Sequence, residues 1–362
     1  MRLLPFLLLL STIAPAQWDL KDQSTTADLR GVSNTGSGAV WASGTQGTVV
    51  RSEDGGDHWQ ACAVPHGAAA LDFRGIQAWD KDTAIVMSSG KGDLSRLYKT
   101  TDGCHTWKLA FTNPDKDGFW DAIRRVTTRQ LYLMGDPVGG KFAMFYSTDS
   151  GDSWFIADDP GLDAERDAGA FAASNSSLLA EGPFLLFGTG GTTSPHVYSS
   201  YAKCEAGQAA ESCPMAWAKS DVPLAGSTAA AGVFSLAART ITSMSGKSKS
   251  IIVAVGGTYD KPDLTTGTAA TSTDGGKTWT AAVTPPNGYR SAVAYDSLRQ
   301  TLITVGPNGT DVSTDDGKNW HALKPLPGQP AETDKHWNAL SYPFAVGPKG
   351  SIGKLHTNAL SK

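Results

Sequence analysis

One octapeptide constrains this chain more than any other feature. It recurs five times, as SEDGGDHW (52–59), TTDGCHTW (100–107), STDSGDSW (147–154), STDGGKTW (272–279) and STDDGKNW (313–320). The shared frame is S/T-x-D-x-x-x-x-W, with Gly at the fifth position in four copies and at the fourth in three. The Ser or Thr and the aspartate (Asp54, Asp102, Asp149, Asp274, Asp315) suit hydrogen bonds to nearby backbone N–H groups, which hold a tight turn. Gly supplies the positive-φ residue. The tryptophan (Trp59, Trp107, Trp154, Trp279, Trp320) opens the next strand and brings a large apolar face to bury. A calcium loop does not fit, because the acidic residues are too few and too variable for an EF-hand frame.

Upstream of each turn, an apolar strand, a Gly-rich turn and a second strand recur, as in WASGTQGTVVRS (41–52), LLFGTGGTTSPHVYSS (185–200) and ITVGPNGTDVST (303–314). Seven such units occur, and a short strand opens each: LRGVS (29–33), FRGIQ (73–77), DAIRR (121–125), GAFAA (169–173), GVFSL (232–236), YRSAV (289–293) and NALSY (338–342). Opening strand, hairpin and the strand after Trp make four antiparallel strands at a period of roughly 45 residues, the signature of a β-propeller blade. The seventh unit runs out of chain after its third strand. The segment around Trp18 has the context that follows the other Trp anchors, so an N-terminal strand is expected to complete the last blade and close the ring. The expected fold is all-β: a single seven-bladed β-propeller over residues 17–362, with no second domain.

Residues 1–16, MRLLPFLLLLSTIAPA, join Arg2 to an apolar run and the small-x-small ending Ala14-Pro15-Ala16, the pattern of a cleaved secretory signal. The mature chain is expected to begin near Gln17 and to be secreted or periplasmic. No run is long enough to span a bilayer. Four cysteines suit an oxidising setting. Cys204 and Cys213 flank a short polar loop that takes the place of the octapeptide in the fourth unit, and a disulfide is expected there. Cys62 and Cys104 are then left over, with their pairing open. There is no CxxC, the seven His show no ligand spacing, and no phosphate or dinucleotide loop occurs, so neither metal nor cofactor is expected. A net charge of -4 offers no footprint for nucleic acid. The glycosylation sequons at Asn175 and Asn308 matter only in a host that uses them.

In a propeller the opening strands line the central channel. Aligned, they give one ring position per blade: Arg30, Arg74, Asp121, Gly169, Gly232, Arg290 and Asn338. Blade 7 lies between blades 6 and 1, so the three arginines would converge on one arc that also holds His336 and Trp337. The planar guanidinium fork suits carboxylate or phosphate. Two readings stand: an anion-binding channel mouth, or structural pairing of each Arg with Asp28, Asp72 or Asp121. Phe119, Trp120, Tyr289 and Trp337 would either stack on a ligand at that mouth or pack between blades.

The octapeptide resembles the Asp-box, or bacterial neuraminidase repeat. The fuller frame, an L-R-G-V or F-R-G-I strand before a V-G-x-x-G hairpin and an S-T-D-G-G-K-T-W turn, looks most like the photosystem II stability/assembly-factor-like propellers, with sialidases as more distant relatives. The resemblance implies a monomeric, non-catalytic scaffold for an unknown protein subunit or an anionic or carbohydrate ligand. The alternative it implies is a sialidase-like or other glycoside hydrolase at the channel mouth. FRGI at 73–76 lacks the following Pro of the sialidase segment, and Glu53, Glu165, Glu181, Glu205, Glu211 and Glu332 supply no Tyr–Glu pair. A hydrolase would have to work with two aspartates.

Overall fold

The computed structural model describes residues 17–21, 24–182, 184–204, 214–242, 248–323 and 330–360. The expected signal segment 1–16 and Cys213 lie outside them. The strands form seven four-stranded antiparallel sheets, each in sequence order from the channel outward except the last. Blade 1 runs Leu29–Asn34, Val40–Gly44, Val49–Ser52 and Gln60–Ala61. Blade 7 runs Ala339–Ser341, Phe344–Val346 and Ile352–Leu355, and its outermost strand is Trp18–Leu20 from the N-terminal end. Trp18 pairs with Leu355 and Leu20 with Gly353, so the expected closure is present.

Adjacent blades bury their faces against each other. Trp41 from blade 1 packs with Phe73, Ile76, Val86 and Tyr98 of blade 2. All five residues of the second strand Ala84–Ser88 are buried, which is why these strands read as apolar runs rather than alternating ones. Glycines set the register where backbones approach closely. A Cβ on Gly44 would lie 2.1 Å from the Asp28 carbonyl oxygen, and one on Gly306 would lie 2.5 Å from that of Tyr289.

Every octapeptide forms the turn between third and fourth strands, by one set of bonds. In blade 1, Ser52 Oγ donates to Asp54 Oδ1 (2.8 Å) and accepts from Gly56 N–H (2.9 Å), while Asp54 Oδ1 accepts from the N–H groups of Asp57 and His58 (both 3.0 Å). Trp59 Nε1 donates to Gly56 O at 3.1 Å. Hydrogen bonds from Ser153 and Thr106 hold the Asp149 and Asp102 carboxyls down at about 2. Blade 2 departs from the frame. Cys104 stands where the other copies have Gly, keeps the positive φ of 61°, and forms a disulfide with Cys62. Its turn is thereby tied to the outer strand of blade 1, and Trp107 Nε1 donates across to Ala63 O at 2.8 Å. The closed loop spans 42 residues, for which chain-entropy reasoning gives about 4 kcal/mol of stabilisation. Cys204 is also disulfide-bonded.

Two opening strands differ from expectation. Blade 4 opens at Leu178–Glu181, not at 169–173. The segment from Gly169 to Ser177 instead enters the channel and plugs it. Asn175 Oδ1 accepts from Ile123 N–H of blade 3 at 2.8 Å, Ser174 Oγ donates to Ser291 O of blade 6 at 2.8 Å, and Ser176 Oγ meets Ser235 Oγ of blade 5 at 2.7 Å. Its small polar residues fit because a central channel needs bonding groups, not bulk, to bridge blades. The sequon residue Asn175 is therefore buried. In blade 6 the strand is Ala292–Asp296, shifted so that Arg290 precedes it.

Candidate functional site

A β-bulge decides which side chain of each opening strand enters the channel mouth. In blades 1, 2 and 3 the register slips between Leu29 and Gly31, Phe73 and Gly75, and Trp120 and Ala122. The extra residues are Arg30, Arg74 and Asp121, and bulges re-aim side chains in this way. All three line a mouth cavity of about 510 Å3 together with Asn338 and Trp337. Blade 5 slips between Val233 and Ser235, so Phe234 rather than Gly232 reaches the cavity. Blade 4 contributes Ala170–Ala173 of the plug, and Phe171 stacks on Phe234 with centroids 3.7 Å apart. Phe119, Tyr259 and Tyr289 complete an aromatic wall, whereas Trp120 belongs to the core with Phe111 and Phe145.

Arg290 is not part of the arc. It takes the place that Leu29, Phe73, Trp120, Val233 and Trp337 hold in their blades, is fully buried, and pairs with Asp311 through Nη2. Ser291 occupies the mouth position in blade 6. His336 also points elsewhere: its side chain is exposed, with Nε2 3.7 Å from Glu332.

The two arginines that remain share one carboxylate. Asp72 Oδ2 accepts from Arg74 Nε at 2.8 Å, and its Oδ1 faces Arg30 Nε at 3.3 Å. Arg30 Nη2 lies 3.9 Å from Asp28, and Arg74 Nη1 donates to Ala172 O of the plug at 3.3 Å. Both Arg side chains keep 29% exposure, so unspent N–H groups face the cavity. The pairing reading therefore describes their inner edge and leaves an electropositive outer edge.

Beside Arg74, on blade 3, begins an acidic pair: Asp121, which the ring alignment names, and Asp136, which it does not. Asp121 and Asp136 both line the cavity. Burial and then the Asp136 charge push the Asp121 carboxyl well up, against the pull of Arg74, and its Oδ2 has no hydrogen-bond partner among the described residues. Burial likewise raises Asp136, whose Oδ1 accepts from Ala170 N–H at 2.9 Å. Glu53, Glu165, Glu181 and Glu332 are all absent from the lining. Among the described residues no cluster of His, Cys, Asp and Glu is arranged to hold a metal ion, and no helix is long and apolar enough to cross a membrane.

No family model and no curated protein matches the chain. Solved structures do. YCF48 bound to D1 peptide is 15% identical with a TM-score of 0.59, covering 95% of this chain and 98% of that one. YCF48 from Cyanidioschyzon merolae is 15% identical with a TM-score of 0.56, covering 94% and 99%. An ancestral GH74 enzyme is 12% identical with a TM-score of 0.57, covering 93% of this chain but 46% of that chain. These likenesses establish the fold as a seven-bladed β-propeller of the shape shared by YCF48 and by GH74 propellers.

Proposed function

We propose that this protein is a non-catalytic, monomeric binding scaffold that works outside the cytoplasm and grips an anionic segment of a partner protein at the channel mouth. The observation that carries the reading is the Arg30–Asp72–Arg74 bridge, which presents spare guanidinium N–H groups at the rim of an aromatic-walled cavity. Its breadth along most of the chain with YCF48, one structure of which holds a D1 peptide, supports a peptide-binding role. The Cys62–Cys104 disulfide suits an oxidising compartment entered after removal of segment 1–16.

The test is quantitative capture of partners from the secreted or periplasmic fraction of the native host, with wild type and the double variant Arg30→Ala/Arg74→Ala as baits. Loss of the captured species with the variant supports the reading, and equal capture by both refutes it.

A second reading rests on Asp121 and Asp136. A buried and a half-buried carboxyl, both with raised pKa, in one cavity are the raw material of a glycoside hydrolase. Under it, the purified protein cleaves a β-glucan or sialoside and Asp121→Asn abolishes that cleavage.

A further inference from the structure

The opening strands carry a second ring at the far side of the plug. Four residues beyond Leu29, Phe73, Trp120 and Trp337 stand Ser33, Gln77, Arg124 and Ser341. Three of these cap the neighbouring blade. Ser341 Oγ accepts from Asn34 N–H (3.0 Å), Ser33 Oγ from Ala78 N–H (3.1 Å), and Gln77 Oε1 from Arg125 N–H (3.3 Å). They satisfy inner-edge donors that a propeller otherwise leaves open in its channel. Accepting those bonds fixes their polarity. The hydroxyl protons of Ser33 and Ser341 and the Gln77 amide hydrogens have no protein acceptor among the described residues.

Arg124 holds the fourth position. It is partly buried, its Nε is sealed from solvent without a hydrogen-bond partner, and no carboxylate pairs with it among the described residues. These groups line a cavity of about 300 Å3 with no Asp or Glu in its wall among the described residues. Arg125 adds a second positive charge, its guanidinium 5.5 Å over the Trp79 ring. Burial, then the charge of Arg125, pushes the Arg124 pKa down, as expected of a cation that lacks a partner. A buried charge is retained at a cost unless an opposite charge meets it.

We propose that this cavity binds a small tetrahedral oxyanion, sulfate or phosphate, with Arg124 as its charge partner and Ser33, Gln77 and Ser341 as flanking donors. Three donors from three blades converging on one cation suit a ligand with several oxygens. The site is separate from the mouth, on the other side of the plug, and stands or falls independently of the partner-binding role.

The test is thermal unfolding of the full mature chain titrated with sodium sulfate, sodium phosphate or sodium chloride at matched ionic strength. Sulfate also stabilises proteins by exclusion, a non-saturating effect that every variant shares. The expected result is a saturable Tm rise with sulfate or phosphate that chloride does not give. Arg124→Gln weakens its half-saturation at least tenfold, and Ser341→Ala weakens it severalfold. Arg129→Ala, at an exposed arginine outside both cavities, leaves it unchanged. Without oxyanion, Arg124→Gln melts at or above the wild-type temperature, which separates lost binding from misfolding. A chloride response equal to sulfate, or identical saturation curves for wild type and Arg124→Gln, overturns the proposal.

Discussion

Replacing Trp18 by Ala tests whether a three-residue strand really closes the ring. Trp18 is 1% exposed, packs against Trp337 with centroids 4.9 Å apart, and donates Nε1 to Asp334 Oδ1 at 2.7 Å. Asp334 also accepts from Gln17 Nε2 at 2.9 Å and from Thr310 N–H at 3.0 Å, so one carboxylate joins the N-terminal strand to blade 6. Truncating a buried Trp costs about 3–5 kcal/mol. Losing a hydrogen bond to a charged acceptor costs about 1.5–3 kcal/mol, of which part is recovered by the donors that remain. Before that recovery the sum is about 4.5–8 kcal/mol, a large share of the roughly 5–15 kcal/mol available to a folded domain. The backbone ladder cannot hold the strand alone, because only three residue pairs link it to Ile352–Leu355. Urea unfolding followed by circular dichroism measures the loss. Trp18→Phe keeps the apolar bulk and isolates the N–H, with an expected cost of about 1.5–3 kcal/mol. Leu20→Ala, at a half-exposed position of the same strand, changes stability by about 0.5 kcal/mol or less. A Trp18→Ala loss below about 1 kcal/mol would mean that ring closure does not depend on this anchor.

Arg290→Leu leaves Asp311 buried without its partner and is expected to cost about 3–5 kcal/mol, whereas Arg290→Leu/Asp311→Leu recovers most of that in the same urea assay. Acid acts in two directions. The turn aspartates, held down at about 2 in Asp102 and Asp149, contribute stability above the unfolded value that disappears as pH falls from near 4 toward 2. Burial raises Asp121, Asp136 and Asp334, so their unfavourable ionisation is relieved as pH falls through their folded pKa values. The urea midpoint is therefore expected to hold or rise on mild acidification and to fall below pH 4, with a shallower fall in Asp149→Asn.

How much of this was legible depends on how far apart the determining atoms lie in sequence. The octapeptide turns were readable because their bonds close within eight residues, from Ser52 to Trp59 and equivalently in every copy but that of blade 2, whose Trp107 bonds Ala63. The blade 2 exception is not local: Cys104, in place of Gly, joins Cys62 across a separation of 42 residues, a pairing the sequence left open. Ring closure was readable because a missing strand in one place matched an extra strand in another. The plug was not. GAFAA looks like an opening strand, and only the bonds that the following Ser174, Asn175 and Ser176 make to blades 3, 5 and 6 show otherwise.

The channel positions fall between these cases. YRSAV resembles LRGVS, and matching the two strings puts Arg290 beside Arg30 and Arg74. The bulge makes the string an unreliable guide, because one extra residue swaps a channel side chain for a core one. A second line of the repeat held the correction. Counting back two residues from the Ser or Thr that opens each octapeptide gives Val50, Tyr98, Phe145 and Ala270, all buried, and then Asp311. A charge in a column of core residues requires a buried partner of opposite sign. Arg290 is that partner, and the column it occupies, Leu29, Phe73, Trp120, Val233 and Trp337, is equally apolar. The two anomalies explain each other. A repeat protein thus reports its register most clearly where two columns break the pattern together, whereas Arg30, Arg74 and Arg124 line the channel cavities.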